Sequence, residues 1–247
     1  MLEAERLSIA FGGLRAVQDA SLAVPEGRIV ALIGPNGAGK TTMFAMISGF
    51  LKPDAGRARF LGQDITGLAP HRICRMGMTR TFQIVQPFAG QTVRENIAVG
   101  AHLHHAPRAE ALAQAEAVAR RVGLAEQLDK LAMNLTIAGR KRLELARALA
   151  TEPRLLLLDE VLAGLNPQEI TEVIPVIRAI RDAGVTVLMI EHVMQAVMNL
   201  ADDLYVLANG SMIASGRPQE VTSDPRVIEA YLGPGTAERL RQAAAHA

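Results

Sequence analysis

Residues 34–42 read GPNGAGKTT, directly after the apolar run RIVALI and directly before MFAMISGFL. Glycines at 34, 37 and 39 forbid a regular element there, so the chain has to leave a strand, wrap a tight loop and enter a helix. That is the pattern G-x-x-x-x-G-K-[ST] in the strand-to-helix setting of a phosphate-binding loop. Its backbone N–H groups can surround phosphate oxygens, and the dipole of the following helix favours the negative charge. Gly34, Pro35, Asn36, Gly37, Ala38, Gly39, Lys40, Thr41 and Thr42 are therefore candidate nucleotide-binding residues. Lys40 is expected to reach the β- and γ-phosphates, and the Thr41 hydroxyl to coordinate Mg²⁺.

The loop needs a parallel sheet around it, and the chain supplies one. RIVALIG (28–34), RLLLLDE (154–160) and VTVLMIEH (185–192) read as buried strands. DLYVLANGSMIASG (203–216) reads as a hairpin turning at Asn209-Gly210. LSIAFGGLRAVQDASLAV and GRARFLGQDI suggest a smaller antiparallel layer near the N-terminus. Between about 90 and 150 the chain turns Ala-, Leu- and charge-rich with helical spacing. The expected fold is an α/β, RecA-like P-loop NTPase core (1–89 and 150–232) with an N-terminal antiparallel β layer and an inserted helical subdomain (90–149). All of 1–247 reads as one domain, closing in a surface-helix tail at 233–247.

Composition narrows the function classes. The 26 Lys and Arg nearly balance 25 Asp and Glu, so no global field argues for nucleic acid or a lipid surface. One cysteine, Cys74, excludes an internal disulfide framework and suits a reducing compartment. MLEAERLSIAF lacks the regions of a signal peptide, and no apolar stretch approaches the ~18–20 residues of a membrane span. A soluble cytoplasmic chain is expected, free to dock on a membrane protein. His102, His104 and His105 have no carboxylate or thiol at ligand spacing and read as a solvated helix or loop.

A phosphate loop alone fits a kinase, a GTPase or an ATPase, and RLLLLDE separates them. Asp159 reaches the carboxyl end of its strand, where ligands sit in such sheets, and can hold Mg²⁺. Glu160 follows, placed to activate an attacking water. A kinase has no use for a base aimed at water, and the guanine-reading N-K-x-D segment of GTPases is absent.

With these motifs in this order the chain resembles the ATP-binding subunits of ABC transporters over nearly its full length. The resemblance implies that Phe11 stacks on adenine, that Gln83 in TRTFQ contacts Mg²⁺ and the attacking water, and that His192 contacts the γ-phosphate. LTIAG (135–139) occupies the place of the family signature LSGGQ, which binds the ATP held by the opposing subunit. Thr136 and Gly139 are the matching contacts, while Ile137 and Ala138 replace both glycines. If those positions need positive φ, the replacement costs about 1–2 kcal/mol each. Arg140, Lys141 and Arg142 read as cations in the first turn of the helix, a place that ordinarily disfavours them by ~0.3–1 kcal/mol, and so as a site awaiting an anion. Val161 stands in place of the usual proline, and Asn166 in place of the commoner aspartate.

FGGLRAV, GPNGAGKTT, TRTFQ, AGLNP, IEHVM and VIEAYLG together are most similar to the branched-chain amino-acid importer group. The urea and amide importer branch of the same group and, as a more distant relative, the lipopolysaccharide-export ATPase are the alternatives. The resemblance implies a head-to-tail dimer with a second ATPase subunit, either a related chain or a second copy of this one, together with membrane-spanning permease subunits and, indirectly, a periplasmic solute-binding protein. It also places the chain on the cytoplasmic face of the plasma membrane. A soluble ABC ATPase of translation or repair would need paired cassettes or a coiled-coil arm, and neither is present. A nucleotide-gated module that hardly turns over is the other alternative, motivated by the altered signature.

Overall fold

The computed structural model describes residues 1–233 and Thr236. A six-stranded sheet forms the centre, in the order β10-β9-β3-β8-β7-β6: β3 (Ile29–Ile33), β6 (Met78–Arg80), β7 (Leu155–Asp159), β8 (Thr186–Ile190), β9 (Asp203–Ala208) and β10 (Ser211–Gly216). All its pairings are parallel except the β9–β10 hairpin. That hairpin turns at Asn209-Gly210, where both residues have positive φ (49° and 77°), the conformation a two-residue type I′ turn requires.

The unbroken apolar character of the central strands has a simple cause. Both faces of the sheet are covered, so odd and even positions enter different cores. On β3, Ile29, Ala31 and Ile33 join one apolar cluster and Val30 and Leu32 the other. On β7, Leu156 and Leu158 face the first cluster and Leu155 and Leu157 the second.

The second cluster is closed by an antiparallel sheet, β2-β1-β4-β5, made of β1 (Leu2–Phe11), β2 (Leu14–Val24), β4 (Ala55–Phe60) and β5 (Gln63–Asp64). Helix α1 (Lys40–Ile47) lies between the two sheets and contributes Met43, Phe44, Met46 and Ile47. Short α2 (Pro70–Arg75) leads into β6, a three-residue edge strand that the polar string MTR gave no reason to expect.

On the other face sit α3 (Val93–Ala101), α4 (Arg108–Arg121) and α5 (Ile137–Leu149), together with α6 (Pro167–Asp182) and α7 (Met194–Leu200). Helix α4 buries Ala111, Ala115, Val118 and Ala119, one stripe at 3.6-residue spacing. These helices share one continuous apolar cluster with β3, β7 and β8. Two short helices, α8 (Pro218–Val221) and α9 (Pro225–Leu232), follow β10; most of the tail expected at 233–247 lies outside the described residues. Folding brings His105 to Glu152 (Nε2···Oε1 2.6 Å), a carboxylate that local spacing did not offer. Among the described residues no three or more His, Cys, Asp or Glu side chains cluster as a metal site, and no helix is long and apolar enough to cross a membrane.

Candidate functional site

The loop between β3 and α1 is fixed by contacts that only glycine permits. At Gly34 φ is 153°, and a Cβ would stand 1.9 Å from the Leu207 carbonyl oxygen on β9. At Gly39 φ is 103°, and a Cβ would stand 2.4 Å from the Ala16 oxygen on β2. The hairpin turn locks the loop from the side: Gly210 N–H donates to the Ala38 carbonyl (3.0 Å), and Gln18 N–H donates to the Gly210 carbonyl (2.7 Å). Helix α1 starts with no side-chain cap and no acidic residue in its first turn, so its first N–H groups are available to an anion. The Lys40 ammonium donates to the carbonyls of Gly34 (2.7 Å) and Pro35 (3.0 Å). Burial lowers its pKa, opposed by the charges of Glu160 and Asp159.

A cavity of about 1240 Å³ opens over this loop. Phe11, residues 36–42 of the loop, Gln83, Glu160 and His192 all line it, five separate stretches of sequence converging on one space. Glu160 is gripped there on both carboxylate oxygens: Gln83 Nε2 donates to Oε2 (2.6 Å), and His192 Nε2 lies 2.5 Å from Oε1. Its backbone sits at φ 49°, a left-handed conformation that costs a non-glycine residue about 1–3 kcal/mol. The strain is held from three sides. Glu160 N–H donates to the Ile190 carbonyl (3.0 Å), Lys141 Nζ donates to the Glu160 carbonyl (3.2 Å), and Val161 after it is buried in the core. The same Lys141 ammonium donates to the Gln83 carbonyl (3.2 Å), so α5 holds the backbones of both residues.

Sequence reasoning missed three participants. Lys141 was read only as part of a cationic cluster. Glu191 is buried and accepts the Leu162 N–H (3.0 Å), which ties down the segment after Glu160. Burial pushes its pKa up to about 7, against the pull of the Leu162 and His192 amides. A carboxylate at the end of the apolar run VTVLMI was the available signal. Arg80 is the third. Its guanidinium pairs with Asp159 Oδ2 at 2.7 Å, both side chains almost fully buried. Asp159 Oδ1 is buried without a hydrogen-bond partner. Thr41, Gln83 and Asp159 together line a second cavity of about 550 Å³.

Thr136 and Gly139 lie elsewhere, on a 370 Å³ cavity shared with Asn166 and Glu169. Two expectations need correction here. Helix α5 begins at Ile137, so Arg140, Lys141 and Arg142 fall in its second turn rather than its first. All three are also engaged within the chain: Arg140 with the Leu135 and Met133 carbonyls, Lys141 as above, and Arg142 with Glu172 (2.6 Å). They are not an unfilled anion site. Secondly, Ile137, Ala138 and Gly139 are helical and none has positive φ, so the two lost glycines carry no left-handed strain. Thr136 caps the helix by accepting the Gly139 N–H (3.1 Å). Asn166 caps α6 in a reciprocal box with Glu169, a task an asparagine performs about as well as an aspartate.

Comparison with known proteins identifies the family and the fold. Residues 17–163 match the ABC transporter family, and residues 211–233 match a branched-chain amino acid ATP-binding cassette transporter family. The chain is 42% identical to the high-affinity branched-chain amino acid transport ATP-binding protein LivG of Salmonella typhimurium, covering 94% of this chain and 98% of the relative. It is 40% identical to BraF of Pseudomonas aeruginosa, a protein of the same description, at 94% and 98% coverage. A nucleotide-free ATP-binding cassette from an ABC transporter superposes with a TM-score of 0.86 at 33% identity, over 94% of this chain and 99% of that one. The ADP conformation of the cassette MJ1267 gives 0.86 at 34% identity, covering 94% and 98%. The chain belongs to the ABC transporter family, as one of its ATP-binding cassettes.

Proposed function

We propose that this cassette hydrolyses ATP to drive import of branched-chain or related amino acids. The observation that carries the reading is Glu160, held between Gln83 and His192 in the cavity that the phosphate loop opens. ATP would lie with adenine on Phe11 and its phosphates over residues 34–42. Thr41, Gln83 and Asp159 would hold Mg²⁺, which neutralises phosphate charge; the unpartnered Oδ1 of Asp159 suits that task. Glu160 accepts a proton from the attacking water, and His192 and Gln83 orient that water and the γ-phosphate. Thr136 and Gly139 serve ATP bound by the opposing subunit. Their distance in sequence and their separate cavity suit a head-to-tail dimer, with a related ATPase subunit as the partner.

The amino-acid class is supported by the family match at 211–233 and by the relatives named above. Exposed Phe82, Ile84 and Phe88 flank Gln83, and exposed Val99 and Met133 stand in the helical region; these apolar side chains are offered to the permease subunits. The chain then works on the cytoplasmic face of the membrane, downstream of a periplasmic solute-binding protein, and never touches the solute. Glu160→Gln should cut steady-state phosphate release by ~10²–10⁴-fold while sparing ATP binding, and should accumulate the ATP-bound dimer in light scattering. Near wild-type turnover would remove Glu160 from this task.

A further inference from the structure

Arg80 belongs to the string TRTFQ, whose functional reading rests on Gln83 alone. It arrives on β6, whose parallel pairing with β7 sets Arg80 opposite Leu157, two residues before Asp159. Its guanidinium does three things at once. One nitrogen pairs with Asp159 Oδ2 (2.7 Å), another donates to Ser48 Oγ at the end of α1 (3.3 Å), and its carbon lies 5.6–5.9 Å from the rings of Phe44, Phe50 and Phe82. Phe50 and Phe82 meet edge to face at 5.5 Å. An arginine is suited to this setting and a lysine is not, because only a planar fork serves two acceptors while lying against aromatic faces.

We propose that Arg80 is a positioning residue for Asp159: it fixes one carboxylate oxygen so that the other stays free for the metal bound with ATP. The proposal rests on the metal reading of Asp159 given above. A free aspartate rotates about its last bond and presents either oxygen. The Arg80 fork removes that freedom, and Thr81 Oγ1 accepts the Asp159 N–H (3.1 Å) to hold the backbone beneath it. The aromatic shell fixes the fork in turn, and its outer members, Phe50 and Phe82, are about half exposed.

The test is the binding of a fluorescent ATP analogue to the full chain, with Mn²⁺ standing in for Mg²⁺ and with chelator. Arg80→Met should lower the affinity gained on adding Mn²⁺ by about tenfold and leave metal-free affinity unchanged; Arg80→Lys should recover part of the gain. A folded Arg80→Met with the wild-type gain overturns the proposal. Should that variant not fold, Phe82→Leu removes one face of the shell without touching Asp159. It should lower the gain two- to threefold, and an unchanged gain overturns the proposal equally. Asp159→Asn separates the two readings: if it keeps the wild-type gain, the metal reading of Asp159 fails and takes this proposal with it.

Discussion

The phosphate loop and the start of helix α5 at Thr136 are built on opposite principles. The phosphate loop depends on backbone that only glycine adopts, pressed against β9 and β2 at distances that exclude a side chain. The Thr136 region depends on an ordinary helix start, with a hydroxyl cap and no left-handed residue from 136 to 139. The same substitution, glycine for a larger residue, is thus prohibitive in one and tolerable in the other. What decides is φ and the nearest neighbouring atom, not the closeness of a motif to its family pattern.

Four substitutions can break or sharpen this contrast. The largest effect belongs to Gly34→Ala, whose methyl would collide with the Leu207 carbonyl; chemical denaturation should show a loss of at least ~3 kcal/mol or no folded protein. An effect below ~1 kcal/mol would mean that the loop yields, and the contrast would fail.

Next is Glu191, whose hydrogen bond holds the segment running from Glu160 toward Asn166, between the two regions. Its pKa of about 7 lies above the ordinary 4.5. The folded state therefore binds the proton more tightly than the unfolded chain does. This contribution to stability is complete below the ordinary value and is lost as pH rises through about 7. Glu191→Gln keeps a carbonyl to accept the Leu162 N–H and cannot ionise. Relative to wild type it should gain roughly 2–3 kcal/mol between pH 4 and pH 8, read from denaturation at both pH values. A difference that does not vary with pH would show that the carboxylate is solvated.

The smallest effects are expected in α5. Thr136→Ala should cost about 1 kcal/mol through the lost cap. Ala138→Gly, which restores a family glycine, should destabilise by no more than ~1 kcal/mol instead of relieving strain. A stabilising Ala138→Gly would reveal strain that the helical backbone does not show.

The parts of the fold and site legible in the sequence were those where local pattern and global position coincide. GPNGAGKTT announces its own strand, turn and helix, and LLLLDE its burial and its polar tip. Glu160 was legible from the strand it follows, and Phe11, Gln83 and His192 through the family resemblance; the fold brings all four to one cavity. Arg80, Lys141 and Glu191 were not legible as participants because their partners are 79, 58 and 29 residues away. Their identities suggested solvent, and only tertiary packing turns them inward. The cations of α5 were misplaced for a related reason. Helix phase depends on which residue caps, and moving the start to Ile137 carries them one turn further on.

The grip of Lys141 on Gln83 and Glu160 has a consequence for how this protein tolerates mutation. Both acceptors are main-chain oxygens, which every codon at 83 and 160 still provides. The tie between α5 and residues 83 and 160 is therefore encoded at one position out of three. Random mutagenesis can alter the chemistry at 83 or 160 and leave the tie standing, whereas the lysine is the one codon through which a single change releases it.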